Sequence, residues 1–209
     1  MIYSAAMRSD PDSTRLLIER FRQAVVEASS APGFVHRQWY VEHHLEIVHR
    51  IALELAEKYP EADRDLVTVL VWLHDYGKAV DLENQYTATV TAGRRKLLEI
   101  GFDAGFVETV VAYAELLDRH SETDLSTAPI EVQIVSSADG CAHLVGPFFY
   151  LWWWENAERP FGQLMADNRR KLRKDWSRKI VLPEARSAFA TRYRLIMEQV
   201  GDLPERFLT

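Results

Sequence analysis

His74 and Asp75 end the apolar run VLVWL, residues 69–73, and are followed by Tyr76, Gly77 and Lys78. A run of that composition belongs in a core, where an ionised carboxylate without a partner is costly. An imidazole beside a carboxylate suits a divalent transition metal, which supplies the missing charge. Neighbouring residues on an α-helix point about 100° apart, so the two side chains converge on one ion only near a frayed helix end. Gly77 is expected to make that end as a left-handed C-terminal cap.

Two ligands are too few for a stable site. His44 is the best further candidate, because Val48, Ala52 and Leu55 fall with it on the apolar face of its helix. His43 points with Ile47 and Glu54 on a mixed face, and His49 with Leu45, Leu53 and Ala56 is a weaker rival. Asp139 in IVSSADGCAHL follows Ile134 and Val135, and the small residues 136–138 allow close approach of backbones. A carboxylate there again asks for a partner.

These residues need helices to carry them. Helical spacing recurs along the chain and strand-like alternation does not persist. Helices are expected over about 13–28, with Leu16, Leu17, Phe21 and Val25 on one stripe, and over 41–58, 64–76, 86–100 and 104–117. Gly101 should end the fourth. Residues 119–128 read as a loop, Pro129 opens a helix to about Leu144, and further helices follow Pro147 and cover 160–174 and 184–199. The expected fold class is all-α, a single helical domain with its core at about 40–145 and helical extensions on both sides.

The 209 residues suit one domain, with 47% hydrophobic and 27% charged residues. A formal charge of −6 argues against general nucleic-acid binding while leaving room for a local basic pocket. One cysteine, Cys141, excludes an intramolecular disulfide and a cysteine-based zinc cluster. The longest apolar region, LVGPFFYLWWW, is shorter than the ~20 residues that span a bilayer. No signal-peptide core is apparent at the N-terminus, and the expectation is a cytoplasmic protein without a membrane partner.

HLEIVHRIALELAE (44–57), WLHDYGK (72–78) and VQIVSSADG (132–140) together resemble the H…HD…D pattern of the HD-domain metal-dependent phosphohydrolase superfamily, over about residues 40–145. The resemblance implies a helical core holding a divalent metal, with a metal-activated water attacking a phosphoester or phosphoanhydride. Carried over residue by residue, His44, His74, Asp75 and Asp139 become the metal ligands, and the second ring nitrogen of each histidine should donate to an acceptor. Asp75 is also a candidate general base. Lys78 resembles the family's lysine and would hold a substrate phosphate; read plainly, it is a surface lysine favourable near a helix C-terminus.

The pattern also departs from the family. Members with two metals carry extra histidines between the HD pair and the final aspartate, whereas segment 83–101 has none and offers Thr89 or Thr91 instead. His120 matches the family's later histidine and would line the pocket or contact phosphate; otherwise it is a solvated loop residue. A mononuclear site follows, with Mn, Fe, Co, Ni or Zn all acceptable to its ligands. YGKAVD after the HD pair lacks the acidic residues of stringent-response hydrolases, and no Gly-Tyr-Pro tripeptide marks a cyclic-dinucleotide phosphodiesterase. The di-iron oxygenases of this fold need ligands that are missing. The resemblance therefore favours a phosphomonoesterase or pyrophosphohydrolase acting on a small phosphorylated metabolite such as a nucleotide. A non-catalytic nucleotide-sensing module is the alternative.

Other features read more plainly. Arg94, Arg95 and Lys96 make a solvated helix face from which one arginine could reach the phosphate. RRKLRKDWSRK, 169–179, could guide an anionic substrate or bind nucleic acid with Trp176 as a stacking platform. The spacing of Leu172 and Trp176 favours a packed amphipathic helix instead. The aromatics at 148–154 cannot share one face and must reach the core, a homodimer interface or a pocket wall. His143 lies one turn after Asp139 and reads as a hydrogen-bonded core histidine that could contact the site.

Overall fold

Apolar residues occupy nearly every position of the central helix, so it has no face to give to water. The computed structural model describes residues 11–119 and 123–208, and among them there is no strand. The helices are α1 (Pro11–Ser29), α2 (Glu46–Ala56, entered through a π-helical turn at Val41–Leu45), α3 (Arg64–Leu73), α4 (Tyr76–Val80) and α5 (Gln85–Ile100). They continue as α6 (Ala104–Asp118), α7 (Ile130–Ala142), α8 (Phe148–Glu155), α9 (Phe161–Lys174) and α10 (Pro183–Gln199). A π-helical turn, Asp175–Lys179, extends α9.

Helix α3 buries Leu66, Val67, Val69, Leu70, Val71, Trp72 and Leu73 and packs against α1, α2, α6 and α7. Its start is fixed by Asp63, whose carboxylate accepts from the backbone N–H groups of Asp65 and Leu66. Asp103 caps α6 in the same way. Gly101 ends α5 at φ 109°, a conformation glycine adopts without a Cβ penalty. In α1, Phe21 and Val25 are buried, but Leu16 from the expected stripe is exposed.

Helix α7 is buried from Ile134 to Ala142. Its small residues allow the close approach expected of them, and the partner is the segment after α9. The Ser136 hydroxyl donates to the Lys179 carbonyl at 2.9 Å, and Ser137 Oγ accepts from the N–H groups of Val181 and Leu182 at 3.1 Å. A Cβ on Gly140 would lie 2.7 Å from Ile180 Cγ1. These contacts hold Lys179 beside Asp139.

Gly77 does not cap α3. Its φ is not positive, it lies inside α4, and α3 already ends at Leu73. The glycine is required for a different reason. A Cβ there would fall 1.8 Å from the Gln85 carbonyl oxygen and 2.6 Å from Thr89 N, so only glycine lets α4 pack onto α5. The Gly77 N–H donates to the buried Thr89 hydroxyl at 3.0 Å.

Candidate functional site

The break between α3 and α4 falls at the His74–Asp75 pair itself. His74 keeps helical torsions, while Asp75 has φ −122° and ψ 11°, outside the helical region. That single turn brings two neighbouring side chains to one place, which an unbroken helix forbids. His74 Nε2 and Asp75 Oδ2 are 3.5 Å apart.

His44 arrives from the π-helical turn before α2, with Val48, Ala52 and Leu55 buried along the same face. Its Nε2 lies 3.6 Å from Asp75 Oδ2 and 3.6 Å from Asp139 Oδ1. Asp139, from α7, also has Oδ1 4.0 Å from His74 Nε2. All four residues named from the HD pattern therefore converge, from the first helical turn before α2, the α3–α4 break and α7.

The donor chemistry fits a cation. The Val71 carbonyl can only accept, so His74 Nδ1 donates in the 2.6 Å contact and Nε2 is the ring nitrogen turned towards the carboxylates. That Nε2 is buried without a hydrogen-bond partner. Burial would raise the Asp75 and Asp139 carboxyls, but the charges beside them, Lys78 and Lys179 first, outweigh it and hold both well below the usual range. Both carboxylates are thus charged ligands. Burial also lowers the His44 pKa, keeping its ring neutral. The acceptor expected for the second nitrogen of His44 is absent among the described residues: Nδ1 has no partner, and the ring is held instead by Tyr40 and by stacking on His143 at 5.2 Å.

Two lysines pair with the carboxylates, Lys179 on the Asp139 oxygen away from the histidines and Lys78 on the Asp75 oxygen that faces them. Lys78 pairs with Asp75 Oδ2 at 2.5 Å, so it is neither a free surface lysine nor yet committed to phosphate. Lys179 pairs with Asp139 Oδ2. Lys171, 3.1 Å from Asp175, lies over the Phe148 ring. Above these groups opens a cavity of about 790 Å³, within the range of pockets that enclose drug-sized ligands. Its wall includes Lys78, Arg159, Arg170, Lys171, Lys174 and Lys179 among the cations, and Phe148, Phe149 and Trp152 among the aromatics.

Several sequence readings need correction. The stretch 169–179 does pack an apolar face, since Leu172 is buried and Trp176 stacks on Tyr193 at 4.4 Å, but four of its cations line the cavity rather than open solvent. Arg94, Arg95 and Lys96 pair with Glu108 and Glu99, and none of the three lines the cavity. Thr89 holds Gly77 rather than facing the site. His120 lies outside the described residues. The aromatic run divides as its length required: Phe148 and Phe149 are buried at the cavity wall, and Tyr150 and Trp154 are exposed.

Sequence reasoning missed Lys179, Asp175, Lys171 and Asp118. The spacing of Lys171, Asp175 and Lys179 at successive helical turns was the available signal. Asp118, at the end of α6, lines the cavity, and burial together with the Asp75 charge raises its carboxyl to about 7.

No helix among the described residues is long and apolar enough to cross a membrane. No match was found among curated proteins or among solved structures. The family model of the HD domain matches residues 41–144, the span that carries all four converging side chains. Through that span the chain belongs to the HD-domain metal-dependent phosphohydrolase superfamily.

Proposed function

We propose that the chain cleaves a phosphoester or phosphoanhydride of a small phosphorylated metabolite, with nucleotides the favoured class. His44, His74, Asp75 and Asp139 would hold one divalent ion. The observation that carries this reading is the meeting of two ionised carboxylates with the buried His74 Nε2, which has no hydrogen-bond partner, at the floor of a cation-rimmed cavity. When bound, the ion would acidify a water and polarise a phosphoryl oxygen.

The chain's own groups would do the rest. Lys78 and Lys179, already beside the ligand carboxylates, lie where they can neutralise the substrate phosphate. Asp75 is the candidate acceptor of the water's proton. Trp152 and Phe149 offer apolar surface for a planar base farther along the wall. These imidazole and carboxylate donors suit Mn, Fe, Co, Ni or Zn.

The test is elemental analysis of the purified protein, then a screen of nucleotides and sugar phosphates with the chelated and the metal-reloaded enzyme. Hydrolysis should require metal and should fall by roughly 100-fold or more in His74→Ala and Asp75→Ala, as loss of a ligand costs at least as much as loss of an outer-shell partner. Full activity in either variant would refute the proposal.

One observation favours a second reading. Each ligand carboxylate already has a lysine, so the site is electrostatically tolerable without metal. A nucleotide-sensing module without turnover would use the same cavity. Nucleotide binding with no hydrolysis under any divalent metal would select it.

A further inference from the structure

The region between His44 and α9 contains a third imidazole that the HD pattern does not assign. His143 follows Asp139 by one turn of α7, so both side chains leave the same face of that helix. Its ring is 5% exposed, stacks parallel to His44 and packs on Phe148 with ring centroids 4.2 Å apart. Nδ1 lies 2.9 Å from Asp175 Oδ2, and Asp175 is in turn 3.1 Å from Lys171.

This arrangement fixes the chemistry of the ring. Burial would raise the Asp175 carboxyl, but Lys171 and His143 hold it well below the usual range, so it is ionised and can only accept. His143 Nδ1 therefore donates. With Nδ1 held by Asp175, Nε2 is the ring atom turned towards Asp139. Nε2 lies 3.4 Å from Asp139 Oδ1, and His44 Nε2 lies 3.6 Å from the same oxygen. Both separations are longer than an ordinary N–H···O hydrogen bond. Ligand atoms about 2.1 Å from one ion are separated by no more than about 4.2 Å. The 3.4 and 3.6 Å separations from Asp139 Oδ1 fall inside that limit, and His44, Asp139 and His143 form one cluster of candidate ligands.

We propose that His143 is a fifth metal ligand, through Nε2, and that Asp175 positions its ring by accepting from Nδ1. This rests on the reading of the cluster as a metal site. The carboxylate–histidine pair is the arrangement that metal-binding imidazoles use to fix tautomer and orientation. It supplies at the end of α7 an imidazole in place of those missing from segment 83–101. Three imidazoles and two carboxylates favour Fe, Co, Ni or Zn over Mn and Mg.

The test uses metal binding rather than turnover. The metal-free full chain is titrated with Co²⁺ against a chromophoric chelator, for the wild type, His143→Gln and Asp175→Asn. The wild type should bind one ion. His143→Gln should bind at least about 10-fold more weakly with an altered visible Co²⁺ spectrum, and Asp175→Asn should weaken binding about 10- to 100-fold. Unchanged affinity and spectrum in His143→Gln, with a wild type that binds, would make His143 a core residue and leave the metal reading intact. A wild type that binds no ion overturns both. Should His143→Gln fail to fold, X-ray absorption of the Zn²⁺-loaded wild type decides: three imidazoles support the assignment and two overturn it.

Discussion

Lys179 pairs with Oδ2 of Asp139, while Oδ1 of the same carboxylate faces the nitrogens of His44, His74 and His143. One side of Asp139 is therefore neutralised by the chain and the other is left for a cation. Lys179 reaches it because Ser136 and Ser137 bind the backbone of residues 179–182. The Asp139 charge lifts the Lys179 ammonium above its usual value despite burial.

Lys179→Met should therefore act differently in the two metal states. Without metal, Asp139 becomes a buried charge lacking its principal partner, a loss of about 3 kcal/mol. For a chain of this size each kcal/mol lowers Tm by about 2–4 °C. A bound divalent ion restores the compensation, so metal should raise Tm more in the variant than in the wild type. Thermal unfolding in chelator and in saturating Zn²⁺ measures this, and equal increments in the two proteins would show that Lys179 and the ion do not share Asp139.

Gly77→Ala should damage the site through the backbone. The added Cβ meets a carbonyl oxygen of α5 at 1.8 Å, and a main-chain atom cannot swing aside as a side chain can. The expected destabilisation is about 3 kcal/mol or more, at the upper end for overpacking. Thr89→Val removes only the hydroxyl that accepts from Gly77 N–H and should cost about 1–3 kcal/mol. Denaturant midpoints rank the two variants, and metal affinity should fall with both because Asp75 lies two residues before Gly77.

Asp118 predicts a pH dependence of the metal-free protein. Its folded pKa is raised to about 7, by burial first and the Asp75 charge second, above an unfolded value of about 3.9. Between those values the folded state binds the extra proton, so stability contributed by this group falls as pH rises from about 4 to about 7. Asp118→Asn mimics the protonated form. In chelator it should lose less Tm between pH 5 and 8 than the wild type, by on the order of 1 kcal/mol or about 2–4 °C. A wild-type slope identical to that of the variant would exclude Asp118 as its source.

The helical order and four converging residues could be read from sequence because each depended on local pattern. His44 was legible from Val48, Ala52 and Leu55, which share its face and are buried with it. Asp139 was legible from the apolar residues before it and the small ones beside it. Gly77 was misread because a glycine after a helix serves equally as a left-handed cap or as a close contact, and only the path of α5 separates the two. The spacing of Lys179 and Asp175 shows only that they share a helix face; their place in the site depends on where the turn after α9 docks on α7, a contact made across about 40 residues of chain. The same docking turned a basic stretch that resembles a solvated helix face into a cavity wall.

Trp152 tests whether that wall reads a base. Arg159 lies over its ring at 5.2 Å, and Asp167 holds the Arg159 guanidinium at 2.6 Å, so the indole is fixed at the cavity wall rather than free in solvent. Stacking a base on an aromatic side chain contributes about 1–3 kcal/mol. Trp152→Ala should therefore raise KM for a nucleotide substrate about 10-fold, with kcat nearly unchanged because the indole is not among the groups that meet at the metal site. For a small sugar phosphate without a base, KM should stay within about twofold of wild type. Parallel steady-state kinetics on the two substrates give the comparison. Equal loss on both would mean that Trp152 supports the wall itself, and unchanged kinetics on both would place the base elsewhere in the cavity.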